Sequence, residues 1–367
     1  MRILMVYEIE NMEFENPYVL VLSNSLSAIG ADTTVSTEEF WHPEKEYDVI
    51  FFQWPEAIFN FSHIGRTEVD RIAAQIAFWK SKGAIIAYTR HNNRAHTDRS
   101  DSMAELYCLV ETSCDLIIHL GKTSMQSCAS KLSNAFHCVV PHHTMTLINR
   151  DVPQSKARDR LVINKNKKVV LCFGAFRNDA ERWAILKAFR LLEIPNKLLL
   201  APGFFPRKLF RKNIFLMIEN FLSRMKFLPY VNILGHPRVT NSELPYYFAA
   251  SDVVLIQRLD ILNSGNLPMG FYFGKPVVGP RSGNVGEILQ ETGNGTFDPS
   301  RWETIAQALH RVLSQKNDRI GRKNQQIADL YWNPMVVARQ LLNMFEKVKQ
   351  FRSARRCRND FHNHPEL

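Results

Sequence analysis

The chain has 367 residues, 45% of them hydrophobic, and 46 Lys and Arg against 36 Asp and Glu give a formal net charge of +10. That length exceeds what one core usually fills, so about two domains are expected, and the apolar fraction excludes a disordered chain. The positive excess favours an anionic partner, a nucleotide diphosphate or an anionic membrane face; the basic runs at 207–212 and 347–358 lack any nucleic-acid motif, so no nucleic acid is expected.

Arg2 to Tyr7 reads as a first strand, without the long apolar stretch of a signal peptide, and no run of about 20 apolar residues predicts a spanning helix. The six cysteines form no CxxC pair and suit a reducing, cytoplasmic compartment as buried thiols. Asn16 and Pro17 open a helix that ends at Gly30. Strands follow at 33–36 and 48–53, the second leading into a loop with Trp54, Pro55 and Glu56. Helical periodicity covers 67–82, and strands follow at 84–89, 115–119 and 137–140. Short apolar strands separated by helices predict a mostly parallel sheet covered on both faces.

Residues 150–167 are polar and unpatterned, and then the alternation restarts. Strands are expected at 168–173, 197–200, 230–234, 252–257 and 276–279, and helices at 179–192, 243–250, 267–273, 301–313, 319–331 and 333–351. The expected fold is therefore α/β, two facing doubly wound Rossmann-like domains. The first spans 1–155 and the second 168–332; a helix at 333–351 and a polar basic tail at 352–367 follow. Residues 204–229, rich in Phe, Leu, Met and basic groups, interrupt the rhythm. They suit either a peripheral membrane contact or a helix packed on its own domain.

The turn Asn263, Ser264, Gly265, Asn266 lies between a strand and a helix. It can aim backbone N–H groups at a diphosphate, with Gly265 allowing close approach, or be an ordinary loop and helix cap. Arg177, in a loop after the 168–173 strand, can meet diphosphate charge with its planar fork of donors. Arg182 is a weaker candidate, being equally a solvent-facing helix residue, and Asp179 can cap that helix. In the first half, Arg90, His91, Arg94 and His96 follow the 84–89 strand, where sheet crevices hold ligands. His91 and His96 can take an acceptor proton, with Glu8 and Glu56 as acidic alternatives. His142 and His143 follow another strand and can hydrogen-bond substrate or close a cleft. They lack a third ligand at diagnostic spacing, so no metal is expected.

Residues 235–258, GHPRVTNSELPYYFAASDVVLIQR, resemble the segment preceding the donor site of GT-B glycosyltransferases. LNSGNLPMGFYFGKPVVGPRSGNVGEIL resembles their phosphate turn, donor helix and following strand, and ETGNGTFDP their return loop. FGAFRNDAERWAILKAF, residues 173–189, resembles their basic loop and helix. The resemblance covers nearly the whole chain as architecture and 173–299 as specific motifs. It is nearest to the glycosyltransferase group 1 superfamily, with two departures. By register to Gly274 and Lys275, the E-x7-E glutamates of that group become Ile261 and Met269, and the lysine of its basic pair becomes Ala180.

The resemblance implies sugar transfer from a UDP- or GDP-sugar, without cofactor or metal, to a glycan or lipid-linked acceptor. Bacterial polysaccharide synthesis, at the inner face of the plasma membrane, is the implied setting. Arg177 and the 263–266 turn would hold the diphosphate, Glu287 would meet the donor sugar or ribose, and the final helix would cross back to the first domain. With the glutamate pair absent, direct displacement with inversion is the preferred mechanism. A nucleotide-sugar binding module without transfer activity, or a sugar-phosphate epimerase or phosphorylase of related fold, are the alternatives.

Overall fold

The computed structural model describes residues 1–9, 16–95, 100–204, 233–234, 239–315 and 318–363. The chain divides into two compact units. One comprises the described parts of Met1–Glu10, Asn16–His143 and Asn333–Leu367, the other those of Thr144–Trp332. The 205–229 part of the segment considered for membrane contact lies outside the described residues, as does His96. Among the described residues, no helix is long and apolar enough to cross a membrane.

The first unit holds six strands: β1 (Arg2–Val6), β2 (Asp32–Val35), β3 (Val49–Phe52), β4 (Ile85–Arg90), β5 (Leu116–His119) and β6 (Phe136–Val139). They pair in parallel in the order β2-β1-β3-β4-β5-β6. Its helices are α1 (Tyr18–Ala28), α2 (Glu38–Trp41), α3 (Arg66–Ser81), α4 (Asp101–Ser113) and α5 (Lys122–Cys128), with a 3-10 turn at Pro55–Phe59. Strand side chains alternate between two cores, as the period of two requires. Ile3, Met5, Val49, Phe51, Ile85 and Ala87 pack with Leu22 and Leu26 of α1. Leu4, Val6, Ile50, Phe52, Ile86 and Tyr88 pack with Ile72, Ile76 and Trp79 of α3 and Leu106 and Val110 of α4. The continuous apolar runs of the strands follow from burial on both faces. Asn16 shapes the entry to α1 by accepting from Tyr18 N at 3.1 Å.

The second unit holds β7 (Lys168–Leu171), β8 (Lys197–Leu200), β9 (Ile233–Leu234), β10 (Val253–Leu255), β11 (Val277–Pro280) and β12 (Gly295–Phe297). They too pair in parallel, in the order β12-β11-β10-β7-β8-β9. Its helices are α6 (Gln154–Arg160), α7 (Asp179–Leu191), α8 (Leu244–Ala250), α9 (Asn266–Tyr272), α10 (Gly283–Thr292), α11 (Glu303–Ser314) and α12 (Asp318–Leu330). Ile185 and Phe189 of α7 and Ile305 and Leu309 of α11 cover one face of the sheet. Phe248 of α8, Met269 and Phe271 of α9, and Leu289 of α10 cover the other. Helix α6 falls in the stretch that carries no apolar period. It is one short, largely polar helix, held by Arg158, which bonds Ala250 O at 3.1 Å and Asp252 at 2.9 Å.

The last helix, α13 (Pro334–Asn363), returns to the first unit after the second is complete. Val337, Leu341 and Phe345 enter the α1 core. Lys349 pairs with Asp48 at 2.7 Å, and Arg352 reaches Ala84 O at 2.8 Å and Asp115 at 3.3 Å. The segment from 352 to Asn363 continues the helix, since it contains neither Gly nor Pro.

In each sheet the chain reverses its direction of growth once. The switch points fall between β1 and β3 and between β7 and β10, where strand order forces adjacent loops apart and opens a crevice at the C-terminal strand ends.

Candidate active site

The loop after β7 turns at Gly174, whose φ of +89° suits only glycine, and enters α7 through Asn178. The Asn178 side chain accepts from Glu181 N at 2.9 Å, so the helix is capped by Asn178 and not by Asp179. Arg177 donates its backbone N–H to Glu181 Oε2 at 2.8 Å, while its side chain is exposed and makes no ion pair among the described residues. Arg182, expected either at a ligand or in solvent, does not face solvent. It is buried, with bonds to Phe204 O at 2.7 Å, Asp179 at 3.0 Å and Phe176 O at 3.2 Å, and so braces the loop from beneath.

Across the switch point, β10 leads into a loop that carries Gln257 and Arg258. Arg258 donates to Glu181 Oε2 at 2.7 Å and to Ala175 O at 2.7 Å, and the two side chains are 17% and 5% exposed. Burial foremost, and also the charge of nearby Arg177, draw the Arg258 guanidinium below its ordinary range against the pull of Glu181. Glu181 thus answers the charge of Arg258 alone, and the nearby Arg177 guanidinium is left as a positive surplus that an anion would relieve. Gln257 Nε2 bonds Phe173 O at 3.1 Å, and Asn266 Nδ2 bonds the same oxygen at 2.8 Å. These bonds clamp the β7 and β10 loops together.

The Asn263–Asn266 turn sits beside this pair. Asn263 Oδ1 accepts from Asn284 Nδ2 at 2.8 Å, and Ser264 Oγ accepts from Asn266 N at 3.3 Å. The glycine whose backbone demands glycine is not Gly265, whose φ of −61° any residue adopts. It is Gly283 at φ +56°, where a Cβ would strike the backbone of Ile261 and Leu262. Glu287 is half-buried on α10. Of the two apolar residues in the glutamate positions, Met269 is buried in the core and Ile261 packs against it. Lys275 is structural: burial pushes its pKa down to about 8, and its Nζ bonds Ala249 O at 2.9 Å and Ser251 O at 2.8 Å, closing the C-terminus of α8.

At the strand ends of the first unit, five rings cluster. Tyr18 stacks on His143 with centroids 4.2 Å apart, and Trp54 stacks on His91 at 4.3 Å. Tyr18 also meets His91 at 4.9 Å and His142 at 4.7 Å, edge to face. His91 is buried, and its Nε2 lies 3.0 Å from Gln53 Oε1. Burial lowers the pKa of His142 to about 4. The other candidates have different surroundings. Glu8 is exposed and accepts from Thr37 Oγ1 at 3.1 Å; buried Glu56 accepts from Tyr107 Oη at 2.5 Å. Arg90 pairs with Glu111 at 2.8 Å, and Arg94 is exposed. Among the described residues, no group of three or more His, Cys, Asp or Glu could hold a metal ion.

Tyr18, Gln53, Trp54, Glu181 and Arg258 were not singled out in the sequence. The available signal was position: Gln53, Trp54 and Arg258 each stand within two or three residues of the C-terminal end of a buried strand.

No protein-family model matches the chain, and no curated protein sequence does. Similar solved structures include sucrose-phosphate synthase from Thermosynechococcus elongatus, 14% identical with a TM-score of 0.68, over 95% of this chain and 98% of that chain. Anabaena HepE in complex with UDP-glucose is 14% identical with a TM-score of 0.65, over 95% of this chain and 100% of that one. The catalytic domain of Arabidopsis thaliana starch synthase IV, bound to ADP and acarbose, is 10% identical with a TM-score of 0.64, over 95% of this chain and 99% of that one. The chain has the GT-B fold. Its two parallel sheets, each covered by helices, and a last helix packed on the first unit match that architecture.

Proposed function

We propose that this GT-B chain is a glycosyltransferase that moves a sugar from a nucleotide-diphosphate sugar to a glycan or lipid-linked acceptor. The observation that carries the reading is the Arg177, Arg258 and Glu181 constellation at the β7–β10 switch point, where one buried carboxylate answers Arg258 and the charge of Arg177 is left over. Arg177 and the Asn263–Asn266 turn bind the diphosphate and stabilise it as it leaves. Glu287 meets the donor sugar or ribose, and a base takes the acceptor proton in a direct displacement that inverts the anomeric centre. Support comes from HepE, solved with UDP-glucose, and starch synthase IV, solved with ADP. Polysaccharide synthesis at the cytoplasmic face of an anionic membrane is the setting that fits the basic composition.

The test is calorimetric titration with UDP, GDP, ADP and their sugars, followed by donor turnover. Saturable binding of one nucleotide class, weakened by Arg177→Ala, is the expected result. Binding of none of them defeats the reading. Ile261 and Met269 in place of the glutamates favour a second reading, a binding module. It predicts the same isotherm with no turnover toward any acceptor or water.

A further inference from the structure

Four non-glycine residues have a positive φ among the described residues: Asn60, Phe61, Val162 and Asn196. Asparagine tolerates the left-handed region, and the Phe61 ring meets Tyr7 at 6.5 Å. Val162, at φ +54°, is β-branched, the type that avoids this region most. It is also 88% exposed, and no large apolar residue among those described is more exposed.

The hydrogen bonds show why the backbone turns there. Helix α6 ends at Arg160; Val162 N donates to Asp159 O at 3.2 Å and Ile163 N to Arg158 O at 2.8 Å. This pair of bonds closes a helix C-terminus around one left-handed residue, a position that glycine commonly fills. Ile163 enters the core of the second unit and Leu161 packs against that core, while the Val162 side chain faces water. The loop is tied down: Arg158 Nη1 bonds Lys165 O at 2.6 Å, and Lys167 N bonds Asn164 O at 3.0 Å. Neither burial nor backbone geometry accounts for a valine at this tip. A local rule broken with no gain inside the fold points to a use outside it.

The surroundings of the tip are basic. Lys156, Arg160, Lys165 and Lys168 are exposed and Lys167 is half-buried, against Asp159 as the one exposed acid of residues 156–168. Arg160 is steadied by the Tyr246 ring, 4.9 Å from its guanidinium carbon. The loop precedes β7 whereas Arg177 follows it, so the two lie at opposite ends of that strand.

We propose that the 160–168 loop docks on an anionic lipid surface, with Val162 entering the headgroup layer and the surrounding lysines and Arg160 meeting the lipid phosphates. An apolar tip ringed by cations complements a surface with negative charge outside and hydrocarbon beneath. A protein partner fits less well, because one valine without an aromatic anchor falls far short of an interface core. The proposal deepens the membrane setting of the transferase reading and rests on it, although docking itself needs no donor.

Sedimentation of the full chain with vesicles tests this, with phosphatidylcholine alone against phosphatidylcholine carrying about 30% phosphatidylglycerol. Binding to the anionic vesicles only, weakened by salt, is expected. Val162→Gly is expected to bind about three- to tenfold more weakly, and Lys165→Gln about fivefold more weakly. Val162→Gly also relieves the backbone, so its thermal midpoint is expected to rise by about 2–4 °C. A lowered midpoint overturns the strain argument and the proposal with it. Undiminished binding by both variants overturns the assignment to this loop, even where the basic runs at 207–212 and 347–358 hold the wild type on vesicles. No vesicle binding by the wild type overturns the proposal, and binding to polyglutamate in its place assigns the loop to an acidic protein partner. Nucleotide calorimetry on the same samples separates the two readings. Weakened vesicle binding in the variants with nucleotide binding intact supports the docking surface. A wild type that binds no nucleotide overturns the transferase reading, while vesicle binding that depends on Val162 still supports the loop assignment.

Discussion

Replacing Arg258 by Ala removes the only side-chain cation on Glu181 among the described ion pairs. Glu181 is 5% exposed and keeps one charge-assisted bond, from Arg177 N at 2.8 Å. Breaking a buried pair costs about 3–5 kcal/mol, because the remaining charge is stranded. Arg258 is itself 17% exposed and the surviving bond shares the load, which points to the lower end, about 3 kcal/mol. The same change frees Ala175 O and loosens the turn that presents Arg177, so donor affinity falls as well. Urea unfolding and nucleotide calorimetry read the two effects separately. In the double variant Arg258→Met, Glu181→Leu, no charge is stranded and much of the stability returns. Donor affinity does not return: losing one charge of each sign leaves the net surplus as in the wild type, but the loop's tether to Ala175 O is not restored. A loss below about 0.5 kcal/mol in Arg258→Ala, the range of ordinary surface changes, would refute this account of the pair. Restored affinity in the double variant would refute its role in the anion site.

Arg177→Ala is expected to leave unfolding nearly unchanged, because the structural bond of that residue is made by its backbone N–H. Turnover should slow by about 2–4 kcal/mol of transition-state stabilisation, partly recovered by Arg177→Lys; wild-type rates would remove it from the site. Gly283→Ala collides with the Ile261 and Leu262 backbone and forces a positive φ, so a loss above about 1 kcal/mol is expected in urea; a neutral effect would show the loop to be movable. Lys275 has its pKa lowered to about 8 from an ordinary 10.5. The unfolded chain therefore binds more protons between those values, and stability relative to Lys275→Met should rise with pH across that window and be flat below it. Equal pH slopes in the two proteins would contradict a buried Lys275. Transfer should survive exhaustive EDTA treatment, and a complete loss restored by a stoichiometric divalent ion would contradict the metal-free mechanism.

The architecture was legible because it rests on rules that hold locally. Runs such as 48–53 and 168–173 are apolar on both faces, the helices between them carry the helical period, and repeated alternation admits few topologies. What escaped was short or polar. Helix α6 has 7 residues and little apolar stripe, and its stability comes from Arg158, which reaches Ala250 and Asp252 from far along the chain. The end of α13 looked like a tail because its composition is basic, although nothing in it breaks a helix.

The site was legible only as a set of strand ends. Position alone brought out Arg177, His91 and His142. It could not rank them, because rank depends on which atoms are already engaged. Arg258 stands in the run VVLIQR and reads as the polar end of a strand; its partner Glu181 is 77 residues away, and no local pattern joins them. His142 and His143 are adjacent and chemically identical in sequence. One stacks on Tyr18 in the core, while the other has its tautomer set by a 2.7 Å bond to its neighbour's carbonyl. The same reasoning bears on the donor loop. With Met269 in the core and Ile261 against it, the two glutamate positions bring no negative charge to the 261–269 stretch. The carboxylate tied into the β7–β10 junction is Glu181, already held by Arg258 and by the backbone of Arg177. On the proposed reading, a diphosphate approaching those loops would not have to displace that acid, and the guanidinium left exposed beside it is that of Arg177.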